Sequence, residues 1–102
     1  MSLADDLLVE IKDRLQVTWE DDGTDRQLSR LITRGQAYMN EMCGTTFAFE
    51  NGSPERELMM ERCRYDWNNA LDEFEDNFKK ELSRLILQVA VDDHVKGDAN
   101  GD

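Results

Sequence analysis

The chain has 102 residues, with 23 Asp or Glu against 12 Lys or Arg and a formal net charge of -11. That length forms one domain and buries roughly 65% of its unfolded surface, enough for a modest core but not for a deep, walled catalytic chamber. The charge argues against tight DNA binding, which draws on Lys and Arg releasing counterions; it allows DNA as a neighbour that slides past a repelling surface.

The first helix is predicted over about residues 3–16. Ser2 is placed to cap it, Asp5 and Asp6 suit the positive end of its dipole, and Leu7, Leu8, Ile11 and Leu15 recur at helical spacing. The same two aspartates stand where a signal peptide would carry basic residues. The longest apolar run, Leu85 to Val91, is interrupted by Gln88 and falls far short of the ~20 residues of a membrane span. Both features predict a chain made in the cytosol.

Val17, Thr18 and Trp19 are poor helix formers, and Glu20-Asp21-Asp22-Gly23 reads as a turn. Thr24 then caps a second helix, with Gln27 reaching back to complete a capping box. Leu28, Leu31, Ile32, Gly35, Tyr38, Met39 and Met42 form its apolar stripe. Gly44 sits where a left-handed cap ends such a helix. Gly35 lies on the apolar face in mid-helix, at a cost of about 1 kcal/mol relative to Ala; the compensation expected is close approach of another helix.

Thr45 to Phe49 reads as a short extended connector, and Glu50-Asn51-Gly52 as a turn. Ser53, Pro54 and Glu55 supply cap, first position and dipole partner for a third helix. Its stripe runs through Met60, Cys63, Trp67, Ala70, Phe74 and Phe78, with a break expected at Asn68-Asn69, whose side chains compete for backbone hydrogen bonds. Leu82, Leu85, Ile86 and Val89 continue a helix, while Leu85, Leu87, Val89 and Val91 alternate like a strand. Residues 92–102 are polar and are expected to form a flexible acidic tail. The prediction is mainly all-α: one domain over residues 1–91, with three to four helices and a short extended C-terminal segment as the second reading of 82–91.

No chemistry-bearing constellation stands out. Cys43, Cys63 and His94 fall in unrelated segments without the paired spacing of a zinc site, and the cysteines read as free thiols in the core. Glu20 to Asp25 resembles a calcium loop only briefly: with Gly23 as the turn glycine, Ser29 occupies the bidentate Glu position. His94 lies in the expected tail, away from any frame that would hold a nucleophile and base together. The expectations are no enzyme activity, no catalytic residue, no metal and no cofactor. Tyr65 falls off the aromatic stripe, and Leu85, Leu87, Val89 and Val91 exceed what one buried face requires, so these five are the candidate subunit interface.

The stretch from Arg62 to Phe78 resembles the second half of the head-tail connector (adaptor) proteins of siphophages and related prophages. The pattern is carried by Arg62, Arg64, Tyr65, Asn68, Ala70, Leu71, Phe74, Glu75, Phe78 and Glu81. The first half fits more generically, as a short helix, an acidic turn and an amphipathic helix ending Met39-Asn40-Glu41-Met42-Cys43-Gly44. Gly52-Ser53-Pro54 fits the family's turn. Asn69 replaces the Gly of the family's usual Asn-Gly, and Lys79-Lys80 is more basic than the family leads one to expect.

The resemblance implies a helical subunit of a ring, typically dodecameric, beneath the portal protein at the virion head-tail junction. The ring would extend the DNA channel without reading sequence and dock the next connector or stopper protein, after assembly in the host cytoplasm. The alternative from the charge alone is a small acidic phage protein that mimics DNA and inhibits a host nucleic-acid enzyme. Interspersed Arg and Lys along the long helices favour the first reading.

Overall fold

A computed structural model of the protein describes the backbone of residues 2–100 and the side chains of residues 2–93. Five helices follow one another: α1 (Leu3–Leu15), α2 (Asp22–Cys43), α3 (Pro54–Trp67), α4 (Leu71–Asn77) and α5 (Lys79–Asn100). No strand occurs among the described residues, so the all-helical class holds and residues 82–91 are helix. The helix count exceeds the three to four expected. The break that raises it falls at Phe78, whose backbone leaves helical geometry (φ -115°, ψ 20°). Leu82 N–H still donates to the Phe78 carbonyl, and the apolar spacing of Phe74, Phe78, Leu82 and Leu85 runs straight through the break, so periodicity carried no sign of it.

Local chemistry sets the ends. The Ser2 hydroxyl accepts from Asp5 N–H and the Ser53 hydroxyl from Arg56 N–H. Gln16 closes α1 in the left-handed region at φ 59°. The cap of α2 is Asp21 and not Thr24: its carboxylate accepts both the Thr24 N–H at 2.8 Å and the Thr24 hydroxyl at 2.9 Å. An anion that takes two donors at the positive end of a helix outcompetes a neutral hydroxyl. Those bonds also hold the Asp21 carboxyl below the usual carboxylate range.

Asn69 carries φ 57° at the α3–α4 corner. Asn tolerates that conformation, so the chain turns there without a glycine. The connector before α3 is not extended throughout, because Phe49 sits at φ 52° with its ring buried.

α3 lies at the centre and touches each of the other four helices. Leu58, Met59, Met60 and Cys63 are therefore buried on more than one side, together with Leu7 and Ile11 of α1, Leu28, Leu31, Ile32 and Met39 of α2, Phe74 of α4, and Leu82 and Leu85 of α5. Gly35 is the crossing point. A Cβ there would stand 3.0 Å from Met59 Cγ and 3.4 Å from Cys63 Sγ, so the missing side chain lets α2 and α3 meet. Gly35→Val should lower stability by about 2 kcal/mol through overpacking. Gly35→Ala, which gains helix propensity and needs only a small shift of the flexible Met59, should stay within about 1 kcal/mol of the parent. Urea unfolding of the two variants decides; an unaffected valine variant would contradict the close crossing.

α5 continues in helical form to Asn100, through most of the segment read from the sequence as a tail. His94 and the other side chains from residue 94 onward lie outside the described set.

Candidate functional site

The five residues proposed from the sequence as an interface divide into two groups. Leu85 is buried in the monomer core, and Val89 packs partly buried against it. Tyr65 also faces inward. Its ring meets Phe74 edge-on at 5.9 Å and Phe78 at 5.7 Å, and its hydroxyl accepts from Asn77 Nδ2 at 3.0 Å. Leu87 and Val91 point away from the body, 66% and 52% exposed.

Helix geometry explains the division. At about 100° per residue, Leu82, Leu85 and Val89 share the side that rests on the rest of the fold, whereas Leu87 and Val91 fall on the opposite side. α5 thus carries apolar residues on two faces, and only one is covered within the chain. The surplus seen in the sequence was real, but the strand-like alternation grouped Leu85 and Val89 with the wrong neighbours.

The motif from Arg62 to Phe78 builds the corner beneath this helix. The Arg62 guanidinium lies 4.5 Å from the Tyr38 ring centroid, and the Tyr38 hydroxyl donates to Glu75 Oε1 at 2.8 Å. Burial, then the Glu75 contact, pushes the Tyr38 phenol up. Asn68 Nδ2 donates to the Arg64 carbonyl at 2.8 Å and covers the end of α3. Phe74 and Phe78 stack at 5.2 Å. A recess of about 220 Å3 lies at this corner, lined by Tyr38, Arg62, Leu71, Asp72, Phe74 and Glu75. Among the described residues Arg62 makes no ion pair there, and its Nη1 is buried without a hydrogen-bond partner; its contact is the Tyr38 ring, and the lining residues serve the α2–α3–α4 junction.

No family model, no curated protein and no solved structure matches this chain. Its own geometry therefore carries the functional argument. Among the described residues, no three His, Cys, Asp or Glu side chains are grouped to hold a metal ion, and no helix is long and apolar enough to cross a membrane.

Cys43 and Cys63 are unbonded. Cys63 Sγ is buried, 3.4 Å from the Leu31 carbonyl and 3.7 Å from Met59 Sδ, and burial pushes its thiol up to about 12. Such a thiol is a packing group, not a nucleophile. Cys63→Ala should cost about 1 kcal/mol through lost packing, with the same melting temperature shift in the presence and absence of reductant. A parent protein whose melting point falls on reduction would overturn the free-thiol assignment.

No local pattern points to the most buried charge among the described residues. Arg56 of α3 is 8% exposed. Its Nε donates to Glu10 Oε1 at 2.9 Å, its Nη2 lies 2.8 Å from the same oxygen, and its Nη1 donates to the Phe49 carbonyl at 3.2 Å. One side chain thereby ties α1, the left-handed turn at Phe49 and α3 together. The Arg56–Glu10 pair spans 46 positions, which no local pattern encodes.

Proposed function

We propose that this chain is a structural subunit that assembles into a ring at the phage head-tail junction, beneath the portal protein. There it would extend the DNA channel and dock the next connector or stopper component. The observation that carries the reading is the second apolar face of α5: Leu87 and Val91 stand outward on a helix whose core contacts are already made by Leu82, Leu85 and Val89. Contiguous exposed apolar groups mark association sites where scattered ones do not, and Leu87 and Val91 lie about one turn apart on the same face of α5. The resemblance of residues 62–78 to head-tail connectors supplies the kind of assembly.

The distribution of charge supports a ring subunit over a DNA mimic. A mimic needs its carboxylates free of cations, whereas Glu10, Glu57, Glu61 and Asp66 are each engaged by an arginine and Asp25 by Lys12, and Arg26 and Arg30 stand exposed among the acids of α2. The test is negative-stain imaging and light scattering of the concentrated protein, alone and with a portal protein. Rings on the portal are the expected result. A strict monomer even with portal present ends this reading, and co-purification with a host nucleic-acid enzyme would put the mimic in its place.

A further inference from the structure

We propose that the outer face of α5 docks on the outer face of α1 of a second copy of this chain, an inference that rests on the ring reading and names its contact. The α5 face carries Lys80 and Arg84 one to two turns ahead of Leu87 and Val91. All four are exposed, and no ion pair among the described residues includes Lys79, Lys80 or Arg84. Arg26, Arg30 and Arg62 are in none of these pairs either; what sets the α5 cations apart is that they stand close together on one helix ahead of exposed apolar residues. Their position is unfavourable as well, since Lys79 and Lys80 open α5, where the helix dipole disfavours positive charge. Residues that work against their own helix point to use elsewhere.

The matching surface is on α1. Leu7 and Ile11 face the core, and Val9 stands on the opposite side, 59% exposed. Asp5, Asp6 and Asp13 surround it within one turn. All three are exposed and are absent from the same ion pairs. One face is thus apolar with cations, and the other is apolar with carboxylates.

Among the described residues α1 and α5 do not touch each other, so these faces are not satisfied there within one subunit, while every copy carries both halves. A head-to-tail contact of this kind propagates and closes into a ring when the rotation allows. One helix pair is small beside the roughly 1,200–2,000 Å2 of a stable interface. Free subunits should therefore associate weakly and in a concentration-dependent way.

The test uses two charge-reversed proteins, Lys80→Glu/Arg84→Glu and Asp6→Lys/Asp13→Lys, with circular dichroism to confirm the fold of each. Sedimentation velocity at high concentration should show the parent associating. Each variant alone should be weakened by at least about tenfold, because like charges then face each other. An equimolar mixture should regain the parent's association, since in alternating order every contact joins opposite charges. Should charge reversal unfold α1, Val9→Ser/Asp13→Asn reads the same contact through weakened association.

Variants that associate like the parent, or a mixture that stays monomeric, would overturn the pairing of these faces without touching the ring reading. An α5 variant that still self-associates but no longer binds a portal would assign the face to that partner instead. A parent that is monomeric at every concentration also overturns the proposal, and the ring reading then stands or falls on the portal complex alone.

Discussion

Glu10→Ala should lower the unfolding free energy by about 3 kcal/mol, a large share of the roughly 5–15 kcal/mol that holds a domain of this size together. The substitution removes the carboxylate that receives Arg56 Nε and Nη2 and leaves a guanidinium 8% exposed without its counter-charge. Arg56→Ala should cost a comparable amount by a different route. Glu10 keeps Arg14, whose Nη2 lies 2.9 Å from its other oxygen. The Phe49 carbonyl, however, loses its donor at a residue held at φ 52°, a conformation a bulky side chain adopts only under external constraint. Glu10→Leu/Arg56→Leu should recover much of either loss, because a well-packed apolar pair often replaces a buried ion pair at little cost. Denaturant unfolding of the two single-alanine variants and the double-leucine variant provides the measurement. If both single variants lose less than about 1 kcal/mol, the pair behaves as an ordinary surface contact.

The second large effect separates two residues only two positions apart in the sequence. Leu85→Asp places a carboxylate at a site 5% exposed among apolar groups. An unpaired buried charge costs several kcal/mol, enough to unfold most of the population at room temperature. Leu87→Asp changes a side chain 66% exposed on the far side of the same helix and should alter stability by no more than about 0.5 kcal/mol. Far-UV circular dichroism should therefore show the helical signal lost in the first variant and kept in the second, while assembly on a portal fails in both. A folded Leu85→Asp protein would contradict the placement of α5 against the core. A Leu87→Asp protein that still forms rings would remove Leu87 from the interface.

These two leucines also show how far the sequence could be read. Features that depend on neighbours along the chain were legible. Ser2 and Ser53 cap as expected, Gly44 takes the left-handed position at φ 64°, Asn68-Asn69 breaks the third helix, and Gly35 marks a helix crossing. Where two local rules competed, the outcome depended on strength. Asp21 displaced Thr24 as the cap because a carboxylate binds the helix end more strongly than a hydroxyl. Where one pattern fitted two structures, it could not choose between them. The apolar spacing across Phe78 suits a continuous helix and a broken one alike, and Leu85 to Val91 suits a strand and a two-faced helix alike. Features held by distant partners left no local trace. Arg56 finds Glu10 across the fold, and Tyr65 turns inward because Phe74, Phe78 and Asn77 are brought to it by the corner at Asn69.

That corner is followed by another with mechanical meaning. Only Phe78 separates α4 from α5, and the core grips α5 through Leu82, Leu85 and Val89, all in its first half. The 22 residues of α5 rise about 33 Å at ~1.5 Å per residue, and with Leu82, Leu85 and Val89 held by the core the first half cannot swing about Phe78 without leaving it. A rotation of about 10° at Phe78 would carry Val89, about 16 Å along the axis, through about 3 Å, so the core contacts fix the angle between α4 and α5. The aromatic corner and the core grip together set the direction of α5, and with it the side on which Leu87 and Val91 are presented.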